Sequence, residues 1–221
     1  MFVWCVILQL LQKGKGIRSL SLVERQRAKP EGLRERKRRE TLVRIAENGL
    51  RLFVKKGFEA TTLEAVAAAA RISARTLFYY FKTKEELLEY WVDDSFFNAL
   101  GPTLVEQALG KNPLEATRDT ILKLVSRYET DRSVVVDRLM QSTDGLRARK
   151  QISFVAMEQI VCDALRERYP GEKPEKLRTV AMVAFGALRL AMERWRQDGA
   201  VRQLAKYVRR EFVSLGSVLP E

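Results

Sequence analysis

The stretch that decides the fold is residues 61–88, TTLEAVAAAARISARTLFYYFKTKEELL. It holds two short helical patterns separated by a break at Arg71-Ile72, after which Ser73 is a favourable N-cap residue. The first pattern is rich in alanine, which lets a second helix approach closely. Two short helices joined by a turn of three or four residues are the physical description of a helix-turn-helix. We therefore predict this motif at about residues 62–81.

Amphipathic patterns on both sides of the motif predict further helices. An apolar or small residue recurs at three- and four-residue steps before it, which predicts a helix from Arg34 to Lys56 that Gly57 ends. The members of this stripe are Leu42, Ile45, Ala46, Gly49 and Phe53. Capping boxes are predicted at residues 61–64 and 83–86, with Thr61 as the first N-cap residue. The second box is expected to start a longer fourth helix that runs through Trp91.

No strand-like alternation interrupts the rest of the chain, so the predicted fold class is all-α. Gly101-Pro102 and Asn112-Pro113 are interpreted as breaks in the helical pattern. Further helices are predicted at residues 114–128, 132–141, 145–169, 174–197 and 201–215. The last two are long and carry apolar stripes, which suits a dimer interface built as a four-helix bundle, with an intramolecular core as the alternative.

The composition excludes many kinds of enzyme. The 221 residues include no histidine and only two cysteines, Cys5 and Cys162, which removes histidine-dependent catalysis and the usual zinc sites. No glycine-rich phosphate loop follows a strand pattern either. We predict no enzymatic activity, no metal and no cofactor. Two distant cysteines also favour a reducing cytoplasm as the location.

The charge of the chain favours a polyanionic partner. There are 40 Lys and Arg residues against 28 Asp and Glu, a net charge of +12, and residues 1–92 carry 19 of the basic and ten of the acidic residues. A basic N-terminal segment fits a nucleic-acid-binding domain, and the alternative is a basic surface that only contacts solvent. Non-specific DNA binding or attachment to a membrane surface are alternative functions.

The first 33 residues form a predicted N-terminal extension. The apolar run at residues 2–11 is far shorter than the roughly 20 residues that span a bilayer, so no membrane partner is predicted. The extension is flexible or the product of a misassigned translation start, and the alternative is a short helix that docks on an apolar surface.

About sixty residues, from Arg39 to Leu100, resemble the DNA-binding domain of the TetR (tetracycline-repressor) family of bacterial regulators. The residues that carry this resemblance are Leu52-Phe53, Gly57-Phe58, Thr61-Thr62, Ala67, Ala70, Ile72-Ser73, Thr76-Leu77, Tyr80-Phe81, Lys84-Glu85 and Leu87-Leu88. The resemblance implies a homodimeric transcriptional regulator, usually a repressor, that binds a palindromic operator and is released by a small effector. Residues 34–83 would be the DNA-binding domain, a three-helix unit, and residues 84–221 the helical regulatory and dimerisation domain.

Several residues acquire DNA-binding roles from this resemblance. Thr62 and Lys84 match positions that touch operator phosphates. The recognition helix would present to the groove Arg75, Thr76, Tyr79 and Tyr80, and its N-cap residue Ser73 is also a candidate DNA contact. Arginine suits guanine, threonine suits a base or a phosphate, and tyrosine hydroxyls suit phosphate oxygens.

A basic segment before the motif and two departures from the family pattern complete the DNA-binding prediction. Arg38 and Arg39 belong to a basic arm that either lies along the DNA or is a solvated tail. Arg71 stands where glycine is common, so a left-handed backbone there would cost about 1–2 kcal/mol. Phe78 stands where tyrosine is common and so loses one hydroxyl contact.

Large apolar side chains of the regulatory domain are candidates for an effector cavity, with plain core packing as the alternative. The candidates are Phe97, Met140, Phe154, Met157, Met182 and Phe185. A cavity of this lining predicts an apolar or amphipathic effector.

Overall fold

The computed structural model describes residues 32–92, 94–201 and 203–218, and the regular structure within these ranges is helical, which confirms the all-α prediction. The predicted N-terminal extension lies outside the described residues, apart from Gly32 and Leu33. In chain order the described helices are α1 (Leu33–Lys56), α2 (Leu63–Ala69), α3 (Ala74–Tyr80), α4 (Lys84–Glu89), α5 (Asp94–Gln107), α6 (Pro113–Tyr128), α7 (Asp131–Met140), α8 (Asp144–Arg168), α9 (Pro174–Gln197) and α10 (Leu204–Val218).

The described residues divide into two packing units. The first unit is residues 32–92 and contains α1–α4, and the second unit runs from residue 94 onward and contains α5–α10. The domain limits drawn from the sequence, at residues 34–83 and 84–221, stay a prediction. In packing terms α4 belongs with the first unit.

Helix α1 forms the base of the first unit, and its predicted stripe is confirmed. The buried residues of this helix are Ile45, Ala46, Gly49 and Phe53. Gly49 faces α4 so closely that an added Cβ would lie 2.5 Å from Cδ2 of Leu87. The helix ends, as predicted, at Gly57. Its φ of 87° is readily adopted by glycine but strains the backbone of other residues.

The N-terminus of α2 corrects one prediction. Thr62, and not Thr61, is the N-cap residue, and its hydroxyl oxygen accepts the N–H of Ala65 at 3.1 Å. Thr61 is buried and donates its hydroxyl proton to the carbonyl of Gly57 at 2.8 Å. Thr61 faces the core and is therefore not available to cap the helix, which leaves this role to Thr62.

Helix α4 is shorter than predicted, because it ends at Glu89 and not beyond Trp91. Thr83 does cap it, accepting from the N–H of Glu86 at 3.1 Å. The Glu86 carboxylate, however, accepts from the N–H of Lys82 at 2.7 Å rather than completing the predicted box. The Trp91 indole N–H donates to the carbonyl of Ala46 at 3.1 Å, which ties the end of this segment to α1.

Helices α6–α9 begin and end within one residue of their predicted limits, but two predictions in the second unit were wrong. Helix α5 continues through Pro102, where a break was expected. The last helix begins at Leu204, so Val201 lies outside it and is exposed. The Glu129 carboxylate accepts from the N–H of Leu204 at 3.0 and 3.1 Å and so caps the last helix from a distant turn.

The core of the second unit is formed by apolar side chains of α5, α6, α8, α9 and α10. Phe185 and Leu165 are fully buried in it, and Trp195 is nearly so. None of the helices in the described part of the chain is long and apolar enough to cross a lipid bilayer.

Candidate nucleic-acid interface

The turn between α2 and α3 fixes the geometry of the predicted motif. The N–H of Arg71 donates to the carbonyl of Ala68 at 3.1 Å, and that of Ile72 donates to the carbonyl of Ala67 at 3.0 Å. This pair of bonds is a Schellman motif, which ends a helix through one residue in left-handed conformation. Arg71 takes that place with a φ of 53°, so the backbone is left-handed where the sequence lacks glycine.

Two hydroxyl groups are already paired at the start of α3. Ser73 is the N-cap residue, as predicted, and its hydroxyl oxygen accepts the N–H of Thr76 at 3.1 Å. The two side-chain hydroxyls also lie 2.8 Å apart, in hydrogen-bond contact. Ser73 therefore supports the first turn of the helix and holds the rotamer of Thr76. The predicted DNA contacts of both residues stay predictions.

Helix α3 buries one side chain and presents several others. Leu77 is fully buried against the first unit, whereas Arg75 and Tyr79 are exposed, the latter by 67%. Tyr80 is half-buried and meets the Tyr79 ring edge to face at a centroid distance of 5.2 Å. Phe78 is also exposed. The outer face of α3 thus combines a cation with aromatic rings, a combination that suits the edges and phosphates of a DNA groove.

Lys84, at the start of α4, is held by the turn that follows α1. Its ammonium donates to the carbonyls of Phe58 at 2.9 Å and Glu59 at 3.0 Å, and it lies 4.9 Å from the centroid of the Phe58 ring. A half-buried lysine in this position fastens α4 to the rest of the unit. The predicted phosphate contacts of Lys84 and of the exposed N-cap residue Thr62 stay predictions.

The predicted basic arm is the beginning of α1, because the helix already starts at Leu33. Arg38 and Arg39 are helical and exposed. The guanidinium carbon of Arg38 lies 6.0 Å from the centroid of the Tyr79 ring, at the limit of cation–π contact. This contact was not predicted from the sequence. Its signal was the position of Arg38, four residues before Leu42 on the stripe of α1 that faces the core.

The predicted effector-cavity residues do not all lie together. Phe154, Met157 and Phe185 are buried in one core cluster, and Phe97 packs against it. Met140 and Met182 lie outside this cluster. Met140 is buried on α7, whereas Met182 on α9 is 51% exposed. Phe154, Met157 and Phe185 therefore belong to the main core cluster of the second unit, whereas Met140 is buried outside that cluster and Met182 lies at the surface.

A buried charge cluster joins three helices of the second unit, and it was not predicted from the sequence. Asp137 on α7 pairs with Lys150 on α8 through one carboxylate oxygen and with Arg196 on α9 through the other, at 2.8 Å for the second pair. Burial lowers the pKa of the Lys150 ammonium, and the Asp137 charge opposes this shift. Asp137 and Arg196 are 59 positions apart, so no local pattern could have revealed the cluster.

An alanine-lined helix, a fixed turn and an exposed helix carrying arginine and tyrosine together define a helix-turn-helix DNA-binding regulator. The family model described as bacterial regulatory proteins, tetR family, matches residues 45–90. The model described as the MftR C-terminal domain matches residues 111–220. The chain belongs to the TetR family of bacterial regulators, which confirms the resemblance inferred from the sequence.

Curated relatives are transcriptional regulators. The chain is 33% identical over 128 residues to the HTH-type transcriptional regulator TcmR of Streptomyces glaucescens, which is 53% of this chain and 55% of TcmR. It is 26% identical over 170 residues to MftR of Mycobacterium tuberculosis, which is named "Putative mycofactocin biosynthesis transcriptional regulator". This match covers 75% of this chain and 85% of MftR. The chain thus spans about half the length of TcmR and most of MftR.

Solved structures share the fold at low sequence identity. FadR of Thermus thermophilus, a TetR-family repressor solved with lauroyl-CoA, is 24% identical, with a TM-score of 0.54 over 81% of this chain and 96% of that one. SmeT, the repressor of a Stenotrophomonas maltophilia multidrug efflux pump, was solved with triclosan. That complex is 16% identical, with a TM-score of 0.58 over 79% of this chain and 91% of SmeT.

Proposed function

We propose that the protein binds a palindromic DNA operator as a homodimer, represses transcription there, and is released by a small apolar or amphipathic effector. The observation that carries the proposal is the outer face of α3, where Arg75 and Tyr79 are exposed beside a buried Leu77. In two-fold dimers of helix-turn-helix proteins, each recognition helix reads one half-site, and the half-sites lie about 34–36 Å apart or at a multiple of this.

Selection of duplexes from a random pool by the full chain tests specific operator binding. We expect a palindrome that binds at least about a thousandfold more tightly than a scrambled duplex at the same salt concentration. Salt-dependent binding without a selected sequence would instead favour the non-specific DNA-binding alternative. If the protein binds anionic vesicles as tightly as it binds duplex DNA, the membrane-surface alternative is favoured.

A pair of charge-removing variants assigns the reading helix. Arg75→Ala is expected to weaken binding to the selected palindrome by about 1–3 kcal/mol and to relax base preference at one position of each half-site. Lys55→Ala removes the same charge from the exposed C-terminal end of α1 and serves as the matched control. Equal losses for the two variants at every sequence would show that α3 does not read bases.

The dimer is proposed to form through α9 and α10. Met182 and Leu190 on α9 are each 51% exposed, and Gly186 lies midway between them on the same helical face. Sedimentation equilibrium should therefore report a dimer for the natural chain and a monomer for Leu190→Arg. Ile152→Arg, on an equally exposed apolar residue of α8, should remain dimeric. A dimer that survives Leu190→Arg and not Ile152→Arg would move the interface to α8.

The effector is proposed to bind among the buried residues of the second unit. Phe154, Met157 and Phe185 lie in one apolar cluster, and two TetR-fold repressors were solved with lauroyl-CoA, which joins an apolar acyl chain to a charged group, and with the largely apolar triclosan. A ligand that favours a state with weaker DNA binding would release the operator by linkage. The operator complex should therefore dissociate on titration with one of these two probes.

Two neighbouring variants locate the proposed effector site. Met157→Ala should shift the releasing concentration of the active probe, because the side chain is buried in the apolar cluster. Val155→Ala, on the exposed side of the same helix, should leave it unchanged. A shift of equal size in both variants would contradict binding inside the unit. As DNA is the proposed partner, we expect the protein to act in the cytoplasm.

A further inference from the structure

We propose that Arg38 is a positioning residue, which holds the Tyr79 ring in place for contact with DNA. This inference rests on the proposed DNA-binding function and assigns Arg38 a role distinct from that of a general phosphate contact. It begins from the observation that the Arg38 guanidinium carbon lies 6.0 Å from the centroid of the Tyr79 ring.

The periodicity of α1 places Arg38 above α3. The core-facing residues of α1 step from Phe53 back through Gly49 and Ile45, and the next steps toward the N-terminus reach Leu42 and then Arg38. Arg38 therefore lies on the same face of α1 as the buried residues, but beyond the core, where the side chain is exposed. The long, planar side chain at this point can lie beside an exposed ring of the neighbouring helix.

Tyr79 needs such support because its ring is 67% exposed. On one side it meets the Tyr80 ring edge to face, with an interplanar angle of 88°, and Arg38 approaches it as well. The two contacts from different helices restrict the rotamers of Tyr79 before DNA is present. A ring that is already in place loses less conformational freedom when its hydroxyl binds a phosphate.

Arg36 provides the matched comparison. It is also an exposed arginine of α1, but it lies two positions away on the helix and pairs with Glu40 at 3.5 Å. Both arginines carry the same charge near the same helix end. If Arg38 acts only through its charge, Arg36→Ala and Arg38→Ala will weaken DNA binding to a similar extent and reduce the salt dependence by a similar slope.

A double-mutant cycle with the full chain on its selected duplex tests the proposal. We expect Arg38→Ala to weaken binding about two- to fivefold more than Arg36→Ala, the range that an exposed cation–π contact supports. The excess should disappear in a Tyr79→Ala background, which removes the ring. It should shrink in a Tyr79→Phe background, which keeps the ring but lacks the hydroxyl that binds the phosphate. No excess, or an excess that persists in Tyr79→Ala, would overturn the proposal.

A measurement without DNA separates this inference from the proposed function. In the free protein with labelled tyrosine, the Tyr79 ring signals, assigned through Tyr79→Phe, should shift in Arg38→Ala and stay in place in Arg36→Ala. Unshifted signals in Arg38→Ala would overturn the contact itself. If no duplex is selected, the regulatory function fails, whereas a selected duplex with an additive cycle refutes only the positioning role.

Discussion

Replacing Arg71 by glycine tests whether the turn of the helix-turn-helix stores backbone strain. Arg71 has a φ of 53°, a conformation that costs a residue with a Cβ about 1–2 kcal/mol. Glycine removes this cost but adds conformational freedom to the unfolded chain, worth about 0.4–1 kcal/mol. The difference predicts that Arg71→Gly stabilises the first unit by about 1 kcal/mol relative to Arg71→Ala. The alanine variant is the reference because both variants remove the arginine charge.

Amide hydrogen exchange in peptides from α1 and α3 reports the opening of the first unit separately from the second. A stabilisation of about 1 kcal/mol should slow exchange about fivefold in Arg71→Gly compared with Arg71→Ala. Arg51→Gly, in the interior of α1, controls for a general effect of glycine and should speed exchange, because glycine is a poor helix former.

Equal amide exchange rates in Arg71→Gly and Arg71→Ala would refute this prediction. That result would mean that the Schellman bonds of Arg71 and Ile72 form without strain in this chain. Operator affinity gives an independent check, since both variants lose one charge. They should therefore bind the selected duplex equally well and differ only in stability.

Two further substitutions probe packing and buried charge. Gly49→Ala should destabilise the first unit by up to about 2 kcal/mol, because the cost of overpacking against the buried Leu87 exceeds the roughly 1 kcal/mol gained in helix propensity. Unchanged amide exchange in peptides from α4 would contradict this prediction. Asp137→Asn should cost the second unit about 3 kcal/mol, because it leaves Lys150 and Arg196 without their shared carboxylate. Lys150→Met should be close to neutral in urea unfolding, since Asp137 keeps Arg196 as a partner. A larger loss in Lys150→Met than in Asp137→Asn would refute this account of the cluster.

Titration of Lys150 gives the Asp137 cluster a pH dependence with a defined sign. Its pKa lies below the usual 10.5 in the folded protein, so the unfolded chain binds more protons between the folded value and 10.5. Stability should rise with pH across that window. In Lys150→Met this contribution should be absent, and urea unfolding at several alkaline pH values measures the difference.

Local signals of the sequence predicted the first unit well. The stripe of α1, the Ser73 cap and the order of the short helices depend on residues three or four positions apart, which periodicity and capping rules describe. The choice between Thr61 and Thr62 as the cap could not be predicted, because it depends on which of them the tertiary structure buries. Pro102 was wrongly interpreted as a break for a similar reason, since packing of α5 outweighs the local preference of one proline.

The interface residues were predicted by type and position, whereas their contacts were not. Arg75 and Tyr79 were placed on the outer side of the recognition helix through the family resemblance, and both are exposed there. The anchoring of Lys84 to Phe58 and Glu59 joins residues about 25 positions apart. Pairs at such separations are set by how helices pack, and one sequence carries no pattern that identifies them.

The bonds that brace α4 have an evolutionary consequence. Lys84 is fastened to the turn after α1, and Trp91 is fastened to α1 itself, so both anchors and their acceptors belong to residues 32–92. Substitutions in the second unit leave these bonds intact. The sequence of the second unit can therefore diverge while the attachment of Lys84 and Trp91 within the first unit is retained.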